Sequence, residues 1–216
     1  MGAKIKGAGS SQIEIEGVKQ LKDVSYNIMS DRIEAGTFLC IAAMNHSNII
    51  VKNIDEDHII PIIDKLEEAG CELQIEDRQI QIKAPKKLKS VNIKTMPYPG
   101  FPTDMQSIFA TVLTTAKGTS IITENIFESR FKYMQELNRM GAKIVTEGRT
   151  AIIKGTKKLF GTNVKATDLR GGAALVLAGT VAKGVTSIEN IEYILRGYEK
   201  FETKLQNIGV NIEKVI

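Results

Sequence analysis

Residues 103–144 read TDMQSIFATVLTTAKGTSIITENIFESRFKYMQELNRMGAKI, from Thr103-Asp104 to Ile144, and this stretch decides the fold because the chain carries its outline three times. A Ser or Thr followed by Asp opens each copy, at Ser30-Asp31, Thr103-Asp104 and Thr167-Asp168. Behind each pair lies a run rich in Ala, Leu, Ile or Val that predicts a helix, with the Ser or Thr suited to its cap. A short β-branched run follows, at residues 48–51, 119–123 and 185–188, and leads to Asn53-Ile54, Asn125-Ile126 and Asn190-Ile191. A second helix then ends at Gly70, Gly141 or Gly209, glycines that suit the left-handed position just past a helix end. From Asp to terminal Gly the spacing is 39, 37 and 41 positions. Self-similarity at this period marks a repeated supersecondary unit. Each copy is expected to run strand, helix, strand, helix, then one or two strands.

The first residues fit the same frame. Met1-Gly2-Ala3-Lys4-Ile5 is identical to Met140-Gly141-Ala142-Lys143-Ile144, and Gln12 to Ile15 and Val18 to Leu21 match residues 150–153 and 156–159 in character. Residues 1–29 are therefore expected to be the tail of a preceding repeat, cut from something longer, with three copies over 30–216. The composition fits a globular protein: 43% hydrophobic and 25% charged residues in 216, with a net charge of +4. The lysines are scattered, with short doublets at Lys86-Lys87 and Lys157-Lys158, so a nucleic-acid stripe is not expected. No apolar stretch is long enough to span a bilayer and no signal peptide is visible, so neither a membrane nor a secretory role is expected. Cys40 and Cys71 lack metal-ligand spacing, and Cys40 sits in the apolar run from Phe38 to Ala43, which predicts a buried thiol in a reducing cytoplasm.

Several motifs resemble the UDP-N-acetylglucosamine 1-carboxyvinyltransferases, or enolpyruvyl transferases. Pro97-Tyr98-Pro99-Gly100-Phe101-Pro102-Thr103-Asp104-Met105-Gln106 resembles their proline-rich loop and helix start. Asp31 to Thr37, Thr123 to Phe131, Thr167-Asp168-Leu169-Arg170 and Arg196-Gly197-Tyr198-Glu199 are similar in the same order, across essentially the whole chain. The resemblance implies an α/β (α+β) fold of the inside-out α/β barrel type, built of βαβαββ units in two similar domains. Residues 30–216 would be the three-repeat domain lacking its N-terminal strand, and 1–29 a remnant of the other domain and hinge. It implies transfer of the enolpyruvyl group of phosphoenolpyruvate to the 3-hydroxyl of UDP-N-acetylglucosamine, the first committed step of peptidoglycan synthesis, with no cofactor and no metal. The domain that carries the family's catalytic Cys or Asp loop is not in this sequence, and neither Cys40 nor Cys71 matches that loop. The isolated chain is therefore expected to be inactive, with the missing N-terminal half as its partner if the enzyme is split.

Three arginines stand where repeat architecture alone does not require them. Arg170 follows Thr167 by three residues, and Arg130 and Arg196 follow their Asn-Ile pairs, so all three are expected at helix openings. Arg opposes the helix dipole there by about 0.3–1 kcal/mol. Backbone N–H groups and a guanidinium fork together hold anions well. The first copy has Ile33 and His58 at the corresponding places. The plainer alternative is a surface Arg paired with a nearby carboxylate. By the resemblance, Arg170 and Arg196 hold phosphoenolpyruvate with Arg130 close by, Ile126 and Phe127 line the nucleotide-sugar site, and Asp104 contacts the sugar hydroxyl as a candidate general base. As sequence alone, Ile126 and Phe127 fit a core equally well.

Asp31 and Asp168 are expected merely to complement the dipole, and Thr103 with Gln106 to form a capping box. Gly171-Gly172 is expected to permit close packing, and Tyr198, Phe201 and Leu205 to form a core face of a helix over 198–208. His46 and His58 read as surface or capping residues. Leu195 stands where the family commonly has Asp. Two alternatives stay open: a non-catalytic anion-binding or assembly module, and the sister 3-phosphoshikimate carboxyvinyltransferase.

Overall fold

The computed structural model describes residues 1–215. Residues 1–29 hold a small antiparallel hairpin of β1 (Lys4–Lys6) and β2 (Glu14–Glu16), with Ile5 opposite Ile15 and both exposed. The first unit then runs α1 (Arg32–Met44), β3 (Asn48–Lys52), α2 (Ile60–Glu68), β4 (Glu72–Glu76) and β5 (Gln79–Lys83). The second runs β6 (Ile93–Lys94), a 3-10 turn at Thr103–Met105, α3 (Gln106–Leu113), β7 (Thr119–Thr123), α4 (Tyr133–Arg139), β8 (Lys143–Glu147) and β9 (Thr150–Lys154). The third comprises β10 (Asn163–Lys165), α5 (Leu169–Val181), β11 (Ser187–Glu189), α6 (Glu192–Leu195) and α7 (Phe201–Asn207).

Only the second unit shows the full βαβαββ order. Its sheet is ordered β6-β7-β9-β8, with β6 and β7 parallel and the β8–β9 hairpin laid antiparallel against β7. The first sheet is β3-β5-β4 without a leading strand, and the third is the parallel pair β10-β11. No strand follows α7 among the described residues, against the expectation of one or two.

Beyond their first turns, helices α1, α3 and α5 carry no charged residue and are apolar on nearly every side, as a helix surrounded by protein can be. Each residue of α3 is buried, as is the run Gly171–Ala178 of α5, and the three helices pack on one another. The sheets lie outside them, so the helices form the interior and the strands the wall. Gly172 shows how tight that interior is: a Cβ there would meet Ile194 at 2.6 Å and Ala166 at 2.9 Å. The double glycine is thus a packing device, as expected.

The row of units also closes on itself. Thr37 of α1 meets the Tyr198 hydroxyl at 2.9 Å, Asn45 donates to Thr180 at 2.8 Å, and Lys204 of α7 pairs with Glu34 at 2.5 Å. Phe38 sits edge-on to Phe201 at 6.0 Å. First and third units are therefore neighbours. Tyr198 precedes α7 rather than belonging to it, yet Tyr198, Phe201 and Leu205 form the buried face that was expected.

Candidate active site

The start of each central helix sets the site. Asp31 and Asp168 are themselves the N-caps of α1 and α5, and the residues before them are not. The Asp31 carboxylate accepts from Ile33 and Glu34 N–H, and the Asp168 carboxylate from Arg170 N–H at 3.0 Å and Gly171 N–H at 2.8 Å. Both carboxylates are spent on helix ends, as the sequence suggested. Asp104 breaks the pattern. It lies in the 3-10 turn, caps nothing, and turns its two oxygens to two arginines.

Arg130 Nη2 donates to Asp104 Oδ1 at 2.7 Å, while Arg170 Nε and Nη2 donate to Oδ2 at 3.4 and 3.2 Å. Burial works to raise the Asp104 pKa, but the hydrogen bonds and charges of Arg130 and Arg170 outweigh it and hold the carboxyl below its ordinary value. The Arg170 side chain is only 11% exposed, and its Nη1 is buried with no partner in hydrogen-bond geometry, the Tyr198 side chain and Asp104 being the polar groups that attract the guanidinium most. A buried guanidinium nitrogen without an acceptor is costly unless a ligand oxygen completes it. The arginines are also backed by aromatic faces. Arg130 lies 4.8 Å from the Phe127 ring centre, Arg170 5.3 Å from Tyr198, and Arg196 6.0 Å from Tyr193.

The expected capping box is absent. Thr103 Oγ1 donates to Glu124 and accepts from Arg130 Nη1, while Gln106 accepts from the Tyr133 hydroxyl. Two side-chain partners outside the turn thus outcompete the local bonds. Arg196 also departs from expectation. It is the C-cap of α6, a four-residue helix, not the opening of one. At that end the dipole favours its charge. Arg170 is at the second position of α5 and Arg130 just ahead of α4, as the spacing implied.

All three arginines nevertheless line one cleft of about 370 Å³, together with Asp104, Phe127, Lys132 and Thr167. Ile126 is exposed beside the cleft without lining it, and Phe127 is 51% exposed, so neither is a core residue. Lys132 adds a fourth cation to the wall; nothing in the sequence marked it out from the other lysines. Glu128 also lines the cleft and reaches Arg149 at 3.5 Å. Cys40 and Cys71 are buried in the core, far from the chemistry of a reactive thiolate. His46 binds the Pro85 carbonyl and His58 approaches Asp55, both outside the cleft.

The cleft sets four cations, Arg130, Lys132, Arg170 and Arg196, among three carboxylates, Asp104, Glu128 and Asp168, and comparisons with known proteins give the chain a family. The family profile of EPSP synthase (3-phosphoshikimate 1-carboxyvinyltransferase) matches residues 1–205. A UDP-N-acetylglucosamine 1-carboxyvinyltransferase of Desulfofundulus thermocisternus is 50% identical over 98% of this chain and 88% of its own length. The chain belongs to the enolpyruvyl transferase family, on its UDP-N-acetylglucosamine 1-carboxyvinyltransferase branch. UDP-N-acetylglucosamine 1-carboxyvinyltransferase 2 of Carboxydothermus hydrogenoformans is 53% identical over the whole chain and 52% of its own length. The chain thus spans about half the length of several of the curated transferases it matches. Among solved structures, the enolpyruvyl transferase NikO from Streptomyces tendae superposes with a TM-score of 0.85 at 26% identity, over 98% of this chain and 51% of that one. Enolpyruvyl transferase architecture is therefore shown, as the motifs implied. Among the described residues no helix is long and apolar enough to cross a membrane.

Proposed function

We propose that this chain supplies the ligand-gripping half of an enzyme that moves the enolpyruvyl group of phosphoenolpyruvate onto the 3-hydroxyl of UDP-N-acetylglucosamine. The observation that carries this is the unpartnered buried Nη1 of Arg170 beside an arginine-paired Asp104. Phosphoenolpyruvate brings a carboxylate and a phosphate, and the nucleotide sugar a diphosphate. Arg170, Arg196 and Arg130 offer fixed positive charge for them without reorganisation, and Phe127 with Ile126 offers apolar surface for the sugar nucleotide.

In the reaction, the sugar hydroxyl oxygen bonds to C2 of phosphoenolpyruvate, its proton leaves to a base, and C3 gains a proton. The tetrahedral adduct then loses C3–H and phosphate to restore the double bond. Asp104 is the candidate base for the hydroxyl. Paired with two arginines its carboxylate is a weak base, because a low pKa weakens proton abstraction. An anionic ligand that draws Arg170 and Arg130 to itself frees Asp104 and raises its basicity at the moment the hydroxyl is positioned. Residues 1–29 read as part of the other domain, whose half contributes the acid loop. These substrates imply a cytoplasmic place in peptidoglycan synthesis, upstream of cell division.

Calorimetric titration of the chain with phosphoenolpyruvate and UDP-N-acetylglucosamine tests the reading. Binding without phosphate release is expected, with release appearing once the N-terminal half of the Carboxydothermus relative is added. A chain that binds neither ligand refutes it. Binding with no turnover in the presence of that half would favour an anion-binding module instead.

A further inference from the structure

Glu124 has only 1% of its surface exposed, yet among the described residues it pairs with no cation. Its oxygens are satisfied by neutral donors. Oε1 accepts Ile126 N–H at 2.8 Å, Phe127 N–H at 3.1 Å and the Thr95 hydroxyl at 2.8 Å. Oε2 accepts the Thr103 hydroxyl at 2.9 Å. Burying a carboxyl group is costly unless its oxygens are hydrogen-bonded, and here, just past the end of β7, every bond is made by a neutral donor. The residues before the other two Asn-Ile pairs, Lys52 and Glu189, are exposed, and Glu189 pairs with Lys165 at 2.9 Å, so a buried acid at this place is peculiar to the second unit.

Of these four bonds, two shape the loop that follows Glu124, one ties it to Thr95 just past β6, and the Thr103 bond joins two segments that are 21 residues apart in sequence. One is the 3-10 turn carrying Asp104, and the other the loop carrying Phe127 and Arg130. The link continues from Thr103. Its hydroxyl spends its hydrogen on Glu124, so its lone pairs face Arg130 Nη1 at 2.7 Å, and Arg130 Nη2 then reaches Asp104 Oδ1 at 2.7 Å. Donation to a carboxylate polarises the hydroxyl and strengthens its acceptance from Arg130. We propose that Glu124 is a positioning residue for ligand capture, fixing through Thr103 the place of Arg130 against Asp104 and through two backbone amides the place of Phe127. It touches no ligand itself, and its importance for capture rests on the reading of the cleft given above.

Glu124→Gln is nearly isosteric and discriminates sharply. If its carbonyl keeps the two amides and Thr95, its NH2 group faces the Thr103 oxygen. Thr103 then loses the carboxylate that took its hydrogen and polarised it, and must share its oxygen between the new NH2 group and Arg130, which weakens its hold on Arg130. Thr103→Val removes the same link from the other side, and Thr103→Ser keeps it.

The experiment follows the Asp104 side-chain carboxyl carbon by NMR as pH is varied, in the chain as it is, with thermal unfolding recorded for each variant. The wild-type carboxyl is expected to titrate below the ordinary aspartate value. Glu124→Gln and Thr103→Val should both move it upward, the double variant no further than either, and Thr103→Ser should leave it in place. In parallel, Glu124→Gln should weaken UDP-N-acetylglucosamine binding about tenfold, the effect of one charged hydrogen bond. A folded Glu124→Gln chain whose Asp104 titration is unmoved overturns the proposal. Should that variant not fold, an unmoved titration in Thr103→Val overturns it equally. A wild-type chain that binds no nucleotide sugar refutes the functional reading instead, and the carboxyl titration still decides whether Glu124 sets the Arg130–Asp104 pair.

Discussion

Replacing Arg170 by Ala separates binding from stability, and the structure sets both magnitudes. Loss of the guanidinium removes the buried Nη1 that lacks a partner and two longer bonds to Asp104, at 3.2 and 3.4 Å. Asp104 keeps Arg130 at 2.7 Å and is itself 39% exposed, so it is not left unpaired, and the fold loses chiefly the packing of Arg170 on Tyr198, about 1–3 kcal/mol. A ligand phosphate or carboxylate loses more. Each hydrogen bond to a charged group contributes about 1.5–3 kcal/mol. Two such bonds from one fork correspond to a fall in affinity of roughly 10²-fold or more. Asp168→Ala is the control, because its carboxylate caps α5 through two N–H groups one and two residues past Leu169. It should cost about 1 kcal/mol of stability, with up to 2 in unfavourable hosts, and weaken binding far less. Isothermal calorimetry with phosphoenolpyruvate and thermal unfolding by circular dichroism measure the two axes. Equal losses of affinity in the two variants would show that Arg170 serves the helix and not the ligand.

Three further outcomes are expected. Because the folded-state pKa of Asp104 is depressed, its pairing stabilises the chain above the unfolded-state pKa, and that contribution is lost as pH falls through the lower, folded value; Asp104→Asn should flatten this acid limb in chemical denaturation between neutral pH and about pH 2. Burial pushes the Cys71 thiol up to about 11 and raises Cys40 well above its ordinary value, with Cys71 adding to the latter, so mass spectrometry after exposure to fosfomycin at neutral pH should find neither modified. Gly172→Ala should destabilise by about 1–3 kcal/mol in urea titration, because overpacking against Ile194 and Ala166 outweighs the gain in helix propensity of about 1 kcal/mol.

The repeat, the burial of the cysteines and the packing role of Gly171-Gly172 were all legible in the chain, since each follows from local pattern. The convergence of Arg130, Arg170 and Arg196 was implied by the motifs and not by the repeat, since Arg170 opens a central helix whereas the other two follow Asn-Ile pairs. What escaped depends on partners distant in sequence. Thr103 looked like a cap because Gln106 stands three residues on, but Glu124 and Arg130 offer it stronger charge-assisted bonds. Arg196 looked like a helix opening because α6 ends after a single turn, a length that no periodicity can announce. Lys132 carried no mark, and Glu124 sat unremarked in a β-rich run, because burial of a carboxylate is a property of the assembled cleft.

The meeting of Thr37 with Tyr198, Asn45 with Thr180 and Lys204 with Glu34 changes how the molecule must come apart. In an open stack of repeats, each end unit touches one neighbour and can melt alone. Here the outer two clasp each other, so each of the three has two neighbours and none is terminal. Damage in one unit is therefore felt across the circle, and the globule should disassemble in a single concerted event instead of peeling from one end.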